Sequence, residues 1–342
     1  MNSFDPEGHF SKDSSIFGLP KNMEPKLSLL SCPWEPTTSF KKGCVDGSKA
    51  LLEASKQMDL YHPYFKKVYK RGISWHDNDH EKILSLNDEA SKLCDSIQSK
   101  LDSEESPSQE MIDKVNSLSE NFNDLIYNNS IKLLKEKKIV GLVGGDHSCP
   151  YGLIKALSEH HKGSFSIVHI DAHFDFRNSY QGFNFSHASI MNNVISKISN
   201  PPKIFQLGIR DFCESEYNFA MEHSQFLLDN EFQKGKAYGV PFNDILDELF
   251  EGLDEKIYIS FDIDGLSPEF CPNTGTPVPG GLSYSEAQFI IEYLHEKEHQ
   301  LVGFDLVEVA PNAKLASLGE GIDEVTAVRL LYALSCFALS TN

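Results

Sequence analysis

The sequence lacks the features of a membrane protein or a nucleic-acid-binding protein. No apolar run in its 342 residues approaches the length that crosses a bilayer, and the N-terminal segment is polar rather than signal-like. Lys and Arg number 31 against 50 Asp and Glu, a formal net charge of −19, and no basic cluster with interleaved aromatics offsets this excess. Such a surface would repel a phosphate backbone. We therefore expect neither membrane nor nucleic acid among its partners.

The cysteines lack the spacing of a disulfide framework or a zinc knuckle. They number seven, lie far apart and never form a Cys-x-x-Cys pair. This pattern is typical of a reducing compartment. With no secretion signal, the expected localisation is cytoplasmic.

Six short β-branched runs predict strands that are buried on both faces. They lie at residues 27–30, 139–143, 165–170, 204–209, 257–260 and 301–306. Helical stretches separate them, and this alternation predicts an α/β fold with a parallel sheet covered on both sides. Ligands of such folds bind beyond the carboxyl ends of the strands. Length does not force two domains, so residues 1–342 are expected to form one.

Residues 87–135 predict a helical hairpin that is an insertion in that domain. Its first half carries apolar residues at helical spacing: Ala90, Leu93, Cys94, Ile97 and Leu101. The second helix is predicted to start at Ser106-Pro107, with Gln109 three residues after the cap. The sequence is compatible with either of two roles for this hairpin, an additional contact surface or a lid.

Three motifs with metal-ligating residues follow predicted strands. They are GGDHS at 144–148, DAHFD at 171–175 and SFDIDG at 260–265. The candidate ligands are His147, Asp171, His173, Asp175, Asp262 and Asp264. In an extended segment, alternate residues point to one side, so the second and third motifs each converge on a point. The Gly-Gly turn alone could cradle a phosphate, but neither dinucleotide-binding nor Walker patterns are present.

The composition of this ligand set predicts the kind of metal. Any one carboxylate could instead cap a helix, and any one histidine could be a core residue, but the three motifs together favour a metal centre. Carboxylates with some imidazole suit hard or borderline divalent ions. Mn²⁺ is the first expectation, with two ions per chain, and Ni²⁺, Co²⁺ or Fe²⁺ remain open.

With these motifs the sequence resembles the ureohydrolase family of arginases, agmatinases, formimidoylglutamases and guanidino-acid hydrolases. The resemblance covers nearly the whole chain and includes PWEPTTSF at 33–40, NTGTPVPGGLSY at 273–284 and LVEVAP at 306–311. It implies a three-layer α/β/α fold with a central eight-stranded parallel sheet and a binuclear metal centre. It also implies a homo-oligomer, either a trimer or a hexamer, and a small guanidino or amidino substrate.

The resemblance also implies roles for individual residues. Of the six ligands, His147 and Asp175 would bind one ion, His173 and Asp264 the other, and two carboxylates would bridge them: Asp171 and Asp262. Glu308 would pair with the guanidinium of the substrate, and His187 would shuttle protons from a loop over the site. The alternative for Glu308 is a surface carboxylate, and the alternative for His187 is an ordinary loop histidine. The other histidines are expected to be surface or core residues.

The identity of the substrate is less well determined by the sequence. Arg177 and Cys213 stand where arginases carry Asn and Asp in their substrate-binding loops, so L-arginine is not the leading substrate. Arg177 could contact a substrate carboxylate or form a structural salt bridge. The overall pattern predicts an agmatinase-like enzyme that releases urea. The alternatives are a formimidoylglutamase or guanidino-acid hydrolase, an arginase, a single-zinc deacetylase, and an inactive regulatory homologue.

Overall fold

Eight parallel strands form the centre of the molecule. The computed structural model describes residues 4–7, 14–312, 314–315 and 317–342. The strands, in chain order β1 to β8, are Leu27–Cys32, Ile73–His76, Ile139–Gly144, Ser166–Ile170, Lys203–Ile209, Ser224–Leu228, Lys256–Asp262 and Gln300–Val307. Their spatial order is β2-β1-β3-β8-β7-β4-β5-β6, and each neighbouring pair is parallel. Because parallel strands need crossover connections, helices follow most of them.

The α-helices are packed on the two faces of this sheet. In chain order, α1 to α10 are Gly47–Ala54, His80–Asp102, Gln109–Lys135, Tyr151–His161, Ile190–Lys197, Glu214–His223, Asp229–Ala237, Phe242–Leu249, Tyr284–Glu296 and Ile322–Thr341. Successive side chains of a strand point to opposite faces of the sheet. Val140 therefore belongs to the core that contains residues of α3 and α4, whereas Val143 belongs to the core that contains residues of α9 and α10. The predicted three-layer α/β/α fold with an eight-stranded parallel sheet is confirmed. Within the described residues, no helix is long and apolar enough to cross a membrane.

The six strands predicted from β-branched runs are all present, with bounds that differ by a few residues. The two strands that those runs did not predict, β2 and β6, lie at the two edges of the sheet. Their side chains are mostly half-exposed, as the pattern in Ile73–His76 and Ser224–Leu228 shows. An edge strand is covered on fewer sides, so its sequence need not be a continuous apolar run.

Two helices occupy the region where a helical hairpin was predicted, with different bounds. The first, α2, begins at His80 rather than near Asn87. The second, α3, begins at Gln109, and its N-cap is Ser108, whose Oγ accepts a hydrogen bond from the backbone N–H of Met111. The predicted start at Ser106-Pro107 was therefore wrong by two residues, because Ser108 also offers a capping hydroxyl. The assignment of this pair as an insertion in a single domain stays a prediction.

Candidate metal centre

The sheet brings the three predicted motifs to one place. Four adjacent strands, β3, β8, β7 and β4, end side by side at the centre of the sheet. Ile170 of β4 pairs with Phe261 of β7, so Asp171 and Asp262, the next residues, are neighbours. Phe261 in turn pairs with Leu306 of β8, two residues before Glu308. The carboxyl ends therefore hold most of the candidate residues within one small region.

His147 stands at the centre of the first group of ligands. Its Nδ1 lies 2.9 Å from Asp171 Oδ2, 3.1 Å from Asp175 Oδ2 and 3.2 Å from Asp262 Oδ2. All four side chains are buried. A single imidazole nitrogen can donate only one hydrogen bond, so it cannot satisfy three carboxylates.

His173 holds the corresponding position in a second group. Its Nδ1 lies 3.3 Å from Asp171 Oδ1 and 3.2 Å from Asp264 Oδ2. Asp171 therefore faces His147 with one carboxylate oxygen and His173 with the other. All six predicted ligands are brought together, in two adjacent groups that share Asp171.

The pKa shifts of the clustered side chains indicate whether cations would be stable among them. Burial raises the pKa of Asp262 well above its ordinary value, and the charges of Asp264 and Asp171 raise it further. Burial and the charge of Asp171 also raise the pKa of Asp175 to about 7. Burial would lower the pKa of His147, but its carboxylate contacts raise it well above the ordinary value. Four carboxylates surround two imidazoles in the cluster, and divalent cations would balance this excess of negative charge.

Neighbouring polar groups orient the ligand side chains. Ser260 Oγ lies 2.9 Å from His147 Nε2, which directs Nδ1 toward the carboxylates. Asp264 is held by the backbone N–H of Ala172 at Oδ1 and by the hydroxyl of Thr276 at Oδ2, both at 3.0 Å. Such outer contacts fix ligand orientation before a metal binds.

His169 is a residue at the ligand cluster that the sequence did not identify. It is fully buried, and its Nε2 lies 2.9 Å from Asp171 Oδ2. Gln206 determines its tautomer, because Gln206 Nε2 lies 2.8 Å from His169 Nδ1 and also donates to Phe174 O. Gln206 Oε1 accepts from Ser224, which fixes the amide orientation. The proton of His169 is therefore on Nε2 and is donated to Asp171, so we infer that His169 positions this carboxylate rather than binding metal.

Arg210 is a second such residue, and it ties the surrounding loops together. Its Nη2 donates to the backbone carbonyls of Asp264, Leu266 and Val278, at 2.7 to 3.1 Å. These carbonyls belong to the turn that follows β7 and to the segment 273–284. The sequence shows an arginine directly after β5, which could have indicated this residue. These hydrogen-bond partners could not be predicted, because they are separated from it by more than fifty residues.

A cavity of about 270 Å³ opens over the cluster. Glu308 lines its inner end and is buried. Its Oε1 accepts a hydrogen bond from the backbone N–H of His147 at 3.0 Å, whereas Oε2 has no partner among the described residues. Its backbone is in the left-handed region, with φ of 60°, as is that of Asp175, with φ of 55°. Burial raises the pKa of Glu308 well above its ordinary value, and the charge of Asp146 adds to this.

His187 and Arg177 line the same cavity. His187 Nε2 lies 3.5 Å from Ser39 Oγ, and burial, with the charge of His173 as the next cause, lowers the pKa of His187 to about 4. Arg177 Nε lies 3.4 Å from Glu216 Oε2, and its guanidinium lies over the ring of Tyr180 at 5.0 Å. Arg177 therefore both lines the cavity and forms a salt bridge, so the two predicted alternatives are not exclusive.

Comparison with known proteins decides the family. The model of the arginase family matches residues 25–336. The chain belongs to the arginase family. As a member of this family, it is a metal-dependent hydrolase that acts on amidine carbon–nitrogen bonds.

Individual relatives of this arginase-family chain are similar over most of their length. The N(1)-aminopropylagmatine ureohydrolase of Thermus thermophilus is 28% identical over 309 residues, which cover 90% of this chain and 89% of that protein. The agmatine ureohydrolase of Thermoplasma volcanium superposes with a TM-score of 0.70 at 21% identity, over 96% and 95% of the two chains. Proclavaminate amidino hydrolase from Streptomyces clavuligerus superposes with a TM-score of 0.71 at 20% identity, over 98% of this chain and 100% of that chain. At these identities the two solved structures show the shared fold.

Proposed function

We propose that this arginase-family hydrolase cleaves the guanidino group of an agmatine-like substrate and releases urea. The observation that carries this proposal is the charge at the outer end of the cavity. Asp211 and Glu216 line it together with Arg177, so two carboxylates face one guanidinium. Arg177 is held by Glu216, and in the described part of the chain the ion-pair contact of Asp211 is to His173 alone. A cationic tail would balance the remaining negative charge.

Two divalent cations are proposed to occupy the cluster, with each ligand in the role that the family resemblance implies. His147 and Asp175 would hold one cation, His173 and Asp264 would hold the other, and two carboxylates would be shared between them: Asp171 and Asp262. The contacts of Asp171 support its bridging role, since its two oxygens face different histidines. Mn²⁺ is the proposed ion, with Ni²⁺, Co²⁺ or Fe²⁺ as alternatives. When bound, two such cations make water nucleophilic near neutral pH and act as a Lewis acid.

Glu308 is proposed to orient the guanidinium in this site. Its side chain lines the cavity, and its Oε2 is buried with no partner among the described residues; a buried carboxylate oxygen without a partner is unfavourable until a cation arrives. Its other oxygen and its backbone N–H are both fixed, the latter by a hydrogen bond to Gly145 O at 2.8 Å. A charge-assisted bond to a rigid carboxylate would hold the planar guanidinium in one orientation above the ligand cluster.

His187 is proposed to move the proton that the reaction requires. With a pKa of about 4 it is neutral near pH 7, so it can accept a proton from the attacking water. The resulting imidazolium is a strong acid, so it gives this proton to the departing amine. Ser39, which also lines the cavity, is placed to orient the ring through its hydroxyl.

An acidic substrate is the second candidate, and Arg177 is the observation that favours it. The contact with Glu216 is made by Nε, and 38% of the Arg177 side chain is exposed. The terminal nitrogens could therefore meet the carboxylate of a guanidino acid or of formimidoylglutamate. Glu216 weakens this reading, because it already compensates the charge of Arg177.

A substrate panel tests the proposal. Metal-loaded protein is incubated with agmatine, arginine, 4-guanidinobutyrate, 3-guanidinopropionate, guanidine and formimidoylglutamate, and urea and formamide are measured. Urea from agmatine at the highest kcat/KM is expected, whereas preference for a guanidino acid or formimidoylglutamate would select the second candidate. Acetate release from acetylated amines would indicate the deacetylase alternative. Binding of far fewer than two metal ions per chain would indicate an inactive homologue.

The remaining properties are proposed from the family resemblance and the sequence. We propose a homo-oligomer, a trimer or a hexamer, and sedimentation analysis would distinguish these. A cytoplasmic location is supported by the cysteines, all seven of which are free in the described structure. Neither nucleic acid nor membrane is proposed as a partner. We also propose that the chain is a single domain.

A further inference from the structure

A tight turn stands between the cavity and the helical pair α2–α3. It comprises residues 180–184 and is called here the pocket turn. Tyr180 N–H donates to Phe183 O at 3.2 Å, and Phe183 N–H donates to Tyr180 O at 2.9 Å. The two residues between them, Gln181 and Gly182, have φ of 54° and 89°. Two such residues in succession define a rigid hairpin turn.

One end of the pocket turn forms a wall of the cavity. Tyr180 lines it, and its ring lies 5.0 Å from the Arg177 guanidinium and 6.2 Å from the ring of His187. A shift of this ring would therefore move the outer part of the cavity, where the tail of a substrate lies. The inner part, at Glu308 and the ligand cluster, is built on the ends of the sheet strands instead.

The other end of the pocket turn is packed on the helical pair. Phe183 is only 1% exposed, and its neighbours in a small core come from both helices: Cys94, Ile97 and Val115. Gly182 lies directly against Ile112 of α3, where an added Cβ would be 3.1 Å from Ile112 Cδ1. Within the part of the chain that the structure describes, the turn is thus seated by apolar contact on a surface of the helical pair.

Asn116 of α3 adds a polar clasp to this packing. Its Nδ2 donates to Gly182 O at 3.3 Å, and its Oδ1 accepts from the backbone N–H of Asn184 at 2.8 Å. A further side-chain hydrogen bond joins Gln181 to Gln98 of α2. Two backbone groups of the turn are therefore satisfied by one side chain, which fixes the turn relative to α3.

We propose that the helical pair α2–α3 is a specificity element, which positions Tyr180 and thereby sets the wall against which the substrate tail binds. The proposal rests on the proposed function, and Asn116 is its principal positioning residue. The pair acts through the pocket turn, without touching the substrate or the ligands. This assigns to the predicted hairpin a role that differs from both a lid and a contact surface.

The test compares Asn116→Ala with Asn129→Ala. Asn129 lies on the same helix with similar exposure, but its Nδ2 donates to Asp79 at 2.8 Å, away from the turn. In Asn116→Ala we expect faster backbone hydrogen exchange in residues 180–184 and a KM for agmatine raised about tenfold, from the loss of two hydrogen bonds. The kcat, the metal content and the inhibition constant of the tail-less guanidinium ion should change by less than about twofold. Asn129→Ala should behave as the parent chain.

A double-mutant cycle identifies the route of the effect. If Asn116 acts through Tyr180, then Asn116→Ala should raise KM only slightly when Tyr180→Leu is already present, because coupled residues are not additive. Unchanged exchange or unchanged KM in Asn116→Ala, an equal loss of guanidinium binding, or full additivity with Tyr180→Leu would each overturn the proposal. Failure of the proposed function would appear first in the parent chain, as no turnover of the panel. Calorimetric binding of agmatine and of guanidinium would then replace KM in the same comparison.

Discussion

Replacement of His169 tests whether a residue that contacts a candidate ligand, without binding metal itself, controls the affinity for metal. His169→Phe keeps a planar ring in the buried site but removes the N–H that is donated to Asp171 Oδ2 over 2.9 Å. His169→Gln is the matched control, because its amide can still donate. In the parent chain, Gln206 holds the His169 ring with its proton on Nε2. A comparison of the two variants therefore distinguishes a positioning role of His169 from direct binding of the metal.

The size of the effect follows from the type of hydrogen bond. A hydrogen bond to a charged group contributes about 1.5 to 3 kcal/mol, and Asp171 contacts both histidines of the cluster. Loss of this contact lets the carboxylate rotate, which should weaken metal binding by about tenfold to a hundredfold. The glutamine variant should lose much less, since the donor is retained.

The assay is calorimetric titration of metal-free protein with Mn²⁺, with thermal unfolding of the metal-free forms to check folding. His169→Phe should bind more weakly and His169→Gln nearly normally. Equal affinity of the parent and His169→Phe would refute the positioning argument. Equal losses in the two variants would mean that His169 itself is a ligand.

Three other predictions concern the ligands, the substrate and pH. Asp262→Asn should abolish turnover and lower the metal content, and an active variant with two ions per chain would contradict the bridging assignment. Arg177→Ala should raise KM for a guanidino acid but not for agmatine, and an unchanged KM for the acid would remove its role as a carboxylate contact. Burial lowers the pKa of His187 to about 4, so the unfolded chain takes up this proton first as pH falls. The contribution of neutral His187 to the free energy of unfolding is therefore complete above about pH 6.5 and is lost as the pH falls toward 4. The loss amounts to at most about 3 kcal/mol, and it is smaller where water reaches the ring. Urea unfolding against pH should show a shallower decline in His187→Phe, and parallel curves would contradict this.

The ligand motifs were readable because their information is local. In 171–175 and in 262–264 the candidate ligands stand at alternate positions directly after a strand, so one short stretch of sequence already predicts that they converge. The expected extended backbone was wrong in detail, because Asp175 has a φ of 55° and Ile263–Gly265 form a 3-10 helix. The six buried strands were readable for a similar reason, since each is a short run made mostly of apolar residues. Both predictions need only the geometry of a single strand and the rule that ligand sites lie at carboxyl ends.

The residues that were missed act through partners that are distant in sequence. His169 precedes Asp171 by two positions on the strand, but its tautomer is set by Gln206 on β5, whose amide is itself oriented by Ser224. The carbonyl partners of Arg210 are similarly remote. The edge strands β2 and β6 were missed because their half-exposed residues depend on the neighbour that covers them.

The sequence by itself predicted the chemistry of this protein: six candidate ligands at strand ends, a carboxylate and a histidine in the expected segments, and a resemblance to a family of hydrolases. Only the tertiary structure decided how the cavity is charged and supported. The charge of Arg177 is compensated by Glu216, and the turn that carries Tyr180 is hydrogen-bonded by Asn116. Ligand spacing is a property of one strand, whereas net charge and rigidity of a cavity arise from side chains that meet only when the chain has folded.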